Sequence, residues 1–344
     1  MPNAALYHMN FLQAIVIGAI QGISELFPIS SLGHTVLIPS WIGGTWATLV
    51  RQESLSESPY LAFVVGLHLA TGVVLVSFYI REWARVVIGI IRSLVRRRIE
   101  TDAERLGWLI VIATVPVGIL GLLLEHQFRV LFAKPAASAI FLTINGLILF
   151  AGETYRRRGK HSRGLAGSAG LAGPAGLTGS GMRLGGAPER RSFGPPLKGS
   201  QFRDDRIVPM DSEAERTLSR IGVTSAFFIG LSQVLALLAG ISREGVTMVG
   251  GLYRGLSNTD AMRFSFLLST PVIFAAGALK VPDLLGPYGD GIRAQVVAGS
   301  LAAVATSIFA VVFLSRYFKT RTLRPFAIYS VLFGVASIIR FAVF

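Results

Sequence analysis

The sequence predicts an all-α polytopic membrane protein: six transmembrane helices plus two re-entrant broken helical hairpins, arranged as an inverted-topology repeat. Three observations predict it. Of 344 residues, 52% are hydrophobic and only 15% charged, with a mean hydropathy of +0.58, too little charge to clothe a water-soluble surface. Six apolar runs approach the roughly 20 residues that cross a hydrocarbon core. Two polar clusters, one in each half, interrupt apolar sequence with matching internal spacing.

The six runs are residues 61–80, 108–124, 136–152, 264–278, 296–314 and 326–344. The shorter ones borrow flanking residues, and Gly and Pro inside them are tolerated where neighbouring helices surround the backbone. Charge orients them. The formal net charge is +14, and it is unevenly placed. Residues 81–105 hold seven Arg against four acids, 156–220 hold 13 Lys/Arg against six acids, and 316–324 hold four basic residues and no acid. These stretches belong on the cytoplasmic side. The run 61–80 then enters, 108–124 leaves and 136–152 returns. In the second half 264–278 leaves, 296–314 enters and 326–344 ends outside. Residues 11–55 must begin and end outside, and 221–260 must begin and end inside. Both are therefore expected to be re-entrant. The bilayer accounts for the basic charge; no basic groove interleaved with aromatics points to nucleic acid. The N-terminus lacks a basic n-region, so a cleaved signal is not expected. Cys is absent, which excludes disulfides and thiolate metal sites.

The halves are expected to be 1–158, with its hairpin at 11–55, and 218–344, with its hairpin at 221–260. Residues 159–217 differ in kind: Gly164 to Gly186 is rich in Gly, Ala and Ser, and Arg190-Arg191 and Pro195-Pro196 follow. With so little apolar content it is expected to be a disordered basic cytoplasmic linker. Its arginines suit anionic lipid.

The first cluster runs from Gln21 to His34 and contains Glu25, Pro28, Ser30, Ser31 and Gly33. Pro28 has no amide hydrogen and disfavours helical geometry at Phe27, so it should end the helix carrying Gln21 and Glu25. Those two are four apart and share a face. Ser30 and Ser31 fall in the break, where freed backbone amides can cradle an anion. Hydroxyls and amides alone could serve as helix-to-helix glue. A carboxylate near mid-membrane is costly enough to mark a functional site. The second cluster is Gly240-Ile241-Ser242-Arg243-Glu244-Gly245-Val246-Thr247. Arg243 offers a rigid donor fork suited to phosphate, with Ser242, Thr247 and the amide of Gly240 as further donors. A structural salt bridge from Arg243 to Glu244 or Glu25 is the competing use. Gln21 precedes Ser30 by nine residues, as Gln233 precedes Ser242, which is what an internal repeat would produce.

These motifs resemble the undecaprenyl-diphosphate phosphatases of the BacA type. The first motif, Gln21, Glu25 and Pro28-Ile29-Ser30-Ser31-Leu32-Gly33-His34, follows the family pattern closely. The run from Arg263 to Pro271 also resembles it. The second motif departs: Ala239 stands where the family has Pro, and Glu244 where it has a second Ser. That acid is expected to repel substrate unless Arg243 or a metal neutralises it. The resemblance implies hydrolysis of a C55-type polyprenyl diphosphate to the monophosphate and inorganic phosphate, at the outer face of the bacterial cytoplasmic membrane. This recycles the lipid carrier for cell-wall synthesis. It implies catalytic roles for Glu25, Ser31, His34 and Arg243, and substrate contacts from Gln21, Ser30, Gly240, Ser242 and Thr247. Ser31 is the candidate nucleophile, with Ser30 or activated water as alternatives, and His34 the candidate acid or base. Mg²⁺ or Ca²⁺, held partly by Glu25, suits the oxygen donors, and a homodimer is allowed. A lipid-phosphate flippase and an inactive lipid-phosphate-binding relative are the competing functions.

Overall fold

The computed structural model describes residues 9–53, 59–132, 134–169, 212–286 and 290–343, and these residues form helices and connections. In the first half α1 spans Phe11–Leu26, α2 Ser31–Ile42, α3 Gly44–Glu53, α4 Pro59–Phe78, α5 Ile80–Arg96, α6 Asp102–Phe132 and α7 Pro135–Ala169. In the second, α8 spans Ser212–Ser219, α9 Val223–Ser232, α10 Arg243–Tyr253, α11 Asn258–Leu285, α12 Arg293–Tyr317 and α13 Arg324–Val343. A 3₁₀ turn, Gln233–Leu237, continues α9. The core of the expected linker, 170–211, lies outside the described residues. At its edges helix persists, since α7 runs on to Ala169 and α8 begins at Ser212.

Each of the six apolar runs falls on a helix. Among the described residues five helical segments are long and apolar enough to cross a membrane: Asp102–Leu124, Pro135–Arg158, Asn258–Leu279, Arg293–Tyr317 and Arg324–Ala342. The 61–80 run behaves differently. It is part of a pair, Ala62–Phe78 with Ile80–Arg96, bent by 86° at Tyr79. A second pair, Glu213–Ser219 with Val223–Leu237, bends by 88°. Counting each bent pair as one span gives up to seven. The outward faces of the long helices carry exposed Leu122, Leu123, Leu301 and Leu332. Such broad apolar exposure is the mark of a surface solvated by lipid. The protein is an all-α polytopic membrane protein.

Local sequence sets the helix ends that matter most. Asn10 opens α1 through a capping box with Gln13. The helix stops at Phe27, whose backbone is extended ahead of Pro28. Ser30 caps α2 and Ser242 caps α10, each accepting a hydrogen bond from the amide three residues on, Gly33 and Gly245. The expected breaks at Pro28 and Gly240 are therefore both present.

The main helix pairs cross between the halves: α1 on α12, α13 on α7, α4 on α11 and α9 on α6. Lipid tails are as apolar as leucine, so these pairs rely on close packing. Gly18 of α1 lies against the backbone of Gly299 on α12, and Gly230 of α9 against the backbone of Ala113 on α6. A Cβ at either position would overlap a carbonyl oxygen. Gly118, by contrast, has nothing within 4 Å of where its Cβ would stand. Gly230→Ala should therefore destabilise the protein by about 1–3 kcal/mol through overpacking. Gly118→Ala should be neutral or stabilising by up to about 1 kcal/mol through helix propensity. Thermal unfolding in detergent checks both; equal midpoints for the two variants would contradict the close-packed α9–α6 seam.

Candidate active site

The two helix breaks meet. Residues 27–30 separate α1 from α2, and residues 238–242 precede α10. A Cβ on Gly33 would lie 2.9 Å from the Cα of Gly240, so the loops touch backbone to backbone. Gly240 has φ +116° and is walled by the backbone of Ser138 and Leu142, which leaves room for no side chain. Ser30 holds φ +72°, an unusual value for a residue with a Cβ. Two amides fix its side chain: Oγ accepts from Gly33 N at 3.2 Å and from Gly240 N at 3.1 Å. One hydroxyl thus closes its own helix and ties down the opposite loop.

Asn145, buried in α7, completes the join. Its Nδ2 donates to the Pro28 carbonyl at 3.0 Å, and its Oδ1 accepts from Ser242 N at 3.0 Å. One amide side chain thereby satisfies an orphan carbonyl in the first break and an orphan N–H in the second, both of which would be expensive if unpaired.

Against this frame sits Glu25, only 3% exposed in its side chain. Oε1 accepts from Arg243 Nη2. Oε2 accepts from the Ser31 hydroxyl and, at 3.0 Å, from Gln21 Nε2. His68 of α4 brings Nε2 to 3.3 Å from the same oxygen, while its Nδ1 lies 2.9 Å from the Val64 carbonyl. The side chains of Arg243 and His68 are 16% and 21% exposed, which makes theirs the open side of the cluster. Two buried atoms have no hydrogen-bond partner: Arg243 Nε, a donor, and Gln21 Oε1, an acceptor. Arg243 Nε is 3.7 Å from Glu244 Oε1, close enough for charge attraction but too long for a hydrogen bond.

The other expected site residues have different neighbours. His34 is buried, with Nδ1 2.7 Å from the Ser30 carbonyl and Nε2 2.7 Å from the Tyr329 hydroxyl. A carbonyl only accepts, so the Nδ1 proton points at Ser30 and Nε2 accepts from Tyr329. Its bonds therefore hold the turn rather than Glu25. Thr247 bonds the Arg243 carbonyl at 2.7 Å and pairs with Ser265 of α11 at 2.5 Å. Ser242 Oγ caps α10 and lies 3.4 Å from the Phe27 carbonyl. His68 and Asn145 did not stand out in the sequence: each is a lone polar residue within an apolar helix.

The chain matches the family model described as bacitracin resistance protein BacA over residues 14–173 and 202–336, which include Glu25, Ser31, His68, Asn145 and Arg243. It belongs to this family. It is 52% identical over 344 residues to a Frankia alni protein named undecaprenyl-diphosphatase 2, covering 98% of this chain and all of that one. It is 45% identical to an undecaprenyl-diphosphatase of Mycolicibacterium paratuberculosis and 44% identical to one of Mycobacterium avium, each time over 96% of this chain and 97% of the relative.

Within this BacA-family site the two departures in the second motif find local accommodation. Ala239 is buried beside Gly240, whose positive φ makes the turn. Glu244 is buried, and its Oε1 accepts from Ser269 of α11 at 2.7 Å. That bond turns the acid toward the α10–α11 seam while keeping it beside Arg243. The run from Arg263 to Pro271 thus supplies the partner of the unexpected acid.

Asn145→Leu should leave the Ser242 N–H and the Pro28 carbonyl buried and unpaired, each at a cost of about 1–3 kcal/mol. Asn145→Gln keeps both a donor and an acceptor without adding charge and should lose less. Unfolding midpoints of the two variants in detergent give the comparison, and an unchanged midpoint for Asn145→Leu would contradict the bridge.

Proposed function

We propose that this protein hydrolyses undecaprenyl diphosphate, or a similar polyprenyl diphosphate, to the monophosphate and inorganic phosphate. The reaction takes place at the outer face of the cytoplasmic membrane and returns the lipid carrier to cell-wall synthesis. One observation carries the reading: the carboxylate of Glu25 contacts the Ser31 hydroxyl across the first helix break and the Arg243 guanidinium from the second, with an unpaired guanidinium N–H beside them. Family membership and relatives named undecaprenyl-diphosphatase support it.

In this reading Arg243 keeps Nη2 on Glu25 and offers its remaining N–H groups, Nε among them, to the terminal phosphate. Ser31 Oγ attacks the terminal phosphorus. Glu25, already the acceptor of the Ser31 hydroxyl, takes its proton. The bridging P–O bond breaks, and polyprenyl monophosphate leaves with the electron pair. Water then attacks the phosphoserine phosphorus, giving its proton to the same acid–imidazole pair. Ser31 is regenerated and inorganic phosphate is released. His68 faces two acceptor oxygens and is placed to pass a proton between Glu25 and the departing oxygen. Ser30 is committed to two amides, which favours Ser31 as nucleophile. His34, through Ser30 and Tyr329, positions the turn.

Among the described residues no group of three or more His, Asp or Glu side chains converges. Mg²⁺ commonly takes one or two carboxylates and completes its shell with substrate phosphates and water. Glu25, Glu244 and the unpaired oxygen of Gln21 are a donor set of that kind. Mg²⁺ or Ca²⁺ held there would offset phosphate charge and polarise the phosphorus.

The finer architecture belongs to the same proposal. Matched caps at Ser30 and Ser242, matched close contacts at Gly18 and Gly230, and helix pairs that cross between the halves support an inverted-topology repeat. Hairpins at 11–55 and 221–260 would then enter from opposite faces. The linker would be cytoplasmic and the C-terminus outside.

Arg243→Ala should lower phosphate release from a C55 diphosphate at least a hundredfold without unfolding the protein, and Arg243→Lys should recover part of it. Ser31→Ala should abolish release; near-normal turnover would point to direct attack by water. Lipid movement across vesicles without phosphate release would favour a flippase. If Glu244 weakens binding by repulsion, Glu244→Ser should lower KM; a loss of folding instead would assign Glu244 to the α10–α11 seam. Comparing rates with and without EDTA tests the cation.

A further inference from the structure

A polar pocket of about 690 Å³ lies at the other end of α10 from Arg243. The helix starts with Arg243 and ends at Tyr253, so the pocket is roughly 15 Å from the catalytic guanidinium at 1.5 Å per residue. Four membrane-length segments end or begin around it: one ends at Arg158, one starts at Asn258, one ends at Tyr317 and one starts at Arg324. It is therefore at headgroup depth. It is on the same side as the start of the basic 156–220 segment, since Tyr155 and Arg156 line it.

Its chemistry is that of an anion site. Arg254, Lys319 and Arg321 line it, and among the described residues no acid pairs with any of them. Arg156 also lines it, with its guanidinium shared with Glu153 at 2.5 Å. The loops are fixed rather than floppy: Thr259 Oγ1 donates to the Phe318 carbonyl at 3.1 Å, and Asn258 Nδ2 to the Arg321 carbonyl at 2.8 Å. Asn258 is only 7% exposed, yet its Oδ1 is buried with no hydrogen-bond partner. A phosphodiester has no O–H to give such an acceptor, whereas a hydroxyl on a headgroup would satisfy it. Tyr155 and Tyr253 pack ring to ring at 4.4 Å and remain half exposed, as interfacial aromatics do.

We propose that this pocket binds the headgroup of an anionic, hydroxyl-bearing phospholipid of the linker-side leaflet. The phosphate would sit among Arg254, Lys319 and Arg321, and a headgroup hydroxyl would donate to Asn258. Basic pockets between membrane helices on the cytoplasmic side commonly hold such lipids. The proposal is independent of the diphosphatase reading, because it uses none of that site's residues.

The test is titration of the purified protein in detergent with fluorescent phosphatidylglycerol, with phosphatidylcholine and inorganic phosphate as separate arms. Phosphatidylglycerol should bind saturably, at least tenfold more tightly than phosphatidylcholine. The triple variant R254Q/K319Q/R321Q should bind it at least tenfold more weakly, with turnover at the Glu25–Arg243 site kept. Asn258→Leu should narrow the gap between phosphatidylglycerol and a phospholipid lacking headgroup hydroxyls. Equal affinity of wild type and triple variant overturns the proposal, as does binding of inorganic phosphate without phosphatidylglycerol. If the triple variant does not fold, Lys319→Gln and Arg321→Gln singly carry the test, each with at least a threefold loss expected; no loss in either overturns it.

Discussion

A carboxylate buried among membrane helices must find a cation, and in this protein the cation comes from the other half of the chain. Glu25 and Arg243 are 218 residues apart in sequence and bonded in the fold. Without Arg243 the carboxylate would lean on His68, Ser31 and Gln21 alone, a weaker compensation for a buried charge. Much of the surrounding architecture serves to make that meeting possible. Two helices stop short of full length, two loops press backbone against backbone, and serine caps and one asparagine absorb the polar groups that the stops release.

The long helices and both breaks were legible in the sequence because their causes are local. Apolar runs longer than a soluble core needs mark the spans, Pro28 ends α1, and Gly240 and Ser242 start α10. The meeting of Glu25 with Arg243 was legible from charge: neither belongs alone in hydrocarbon. His68 and Asn145 were not, because what distinguishes them is tertiary. A single histidine in α4 and a single asparagine in α7 look like ordinary helix-to-helix hydrogen bonders until the fold sets them against Glu25 and Pro28. The 86° bend at Tyr79 was also hidden, since no proline or glycine stands at the turn.

The two histidines near the first break show how fold reassigns chemistry. His34 is embedded in the motif, yet its ring stacks on Tyr329 and its one ring N–H serves the turn. His68 lies outside every motif and touches the acid. Glu244 shows the same principle from the other side. A negative charge that looks hostile beside an arginine becomes tolerable once Ser269 accepts part of the task of solvating it.

The crossing of helix pairs between halves has a consequence for biogenesis. Because α1 packs on α12 and Glu25 bonds to Arg243, the first half enters the bilayer with its acid held only by Gln21, Ser31 and His68. At ribosomal speeds the separation of 218 residues takes on the order of 10–40 s to synthesise. For that interval α1 has α2 and α4 beside it but lacks α12, its main packing partner, and the guanidinium of Arg243. Insertion of this chain is thus a waiting problem: the amino-terminal half stays incomplete until the second arrives.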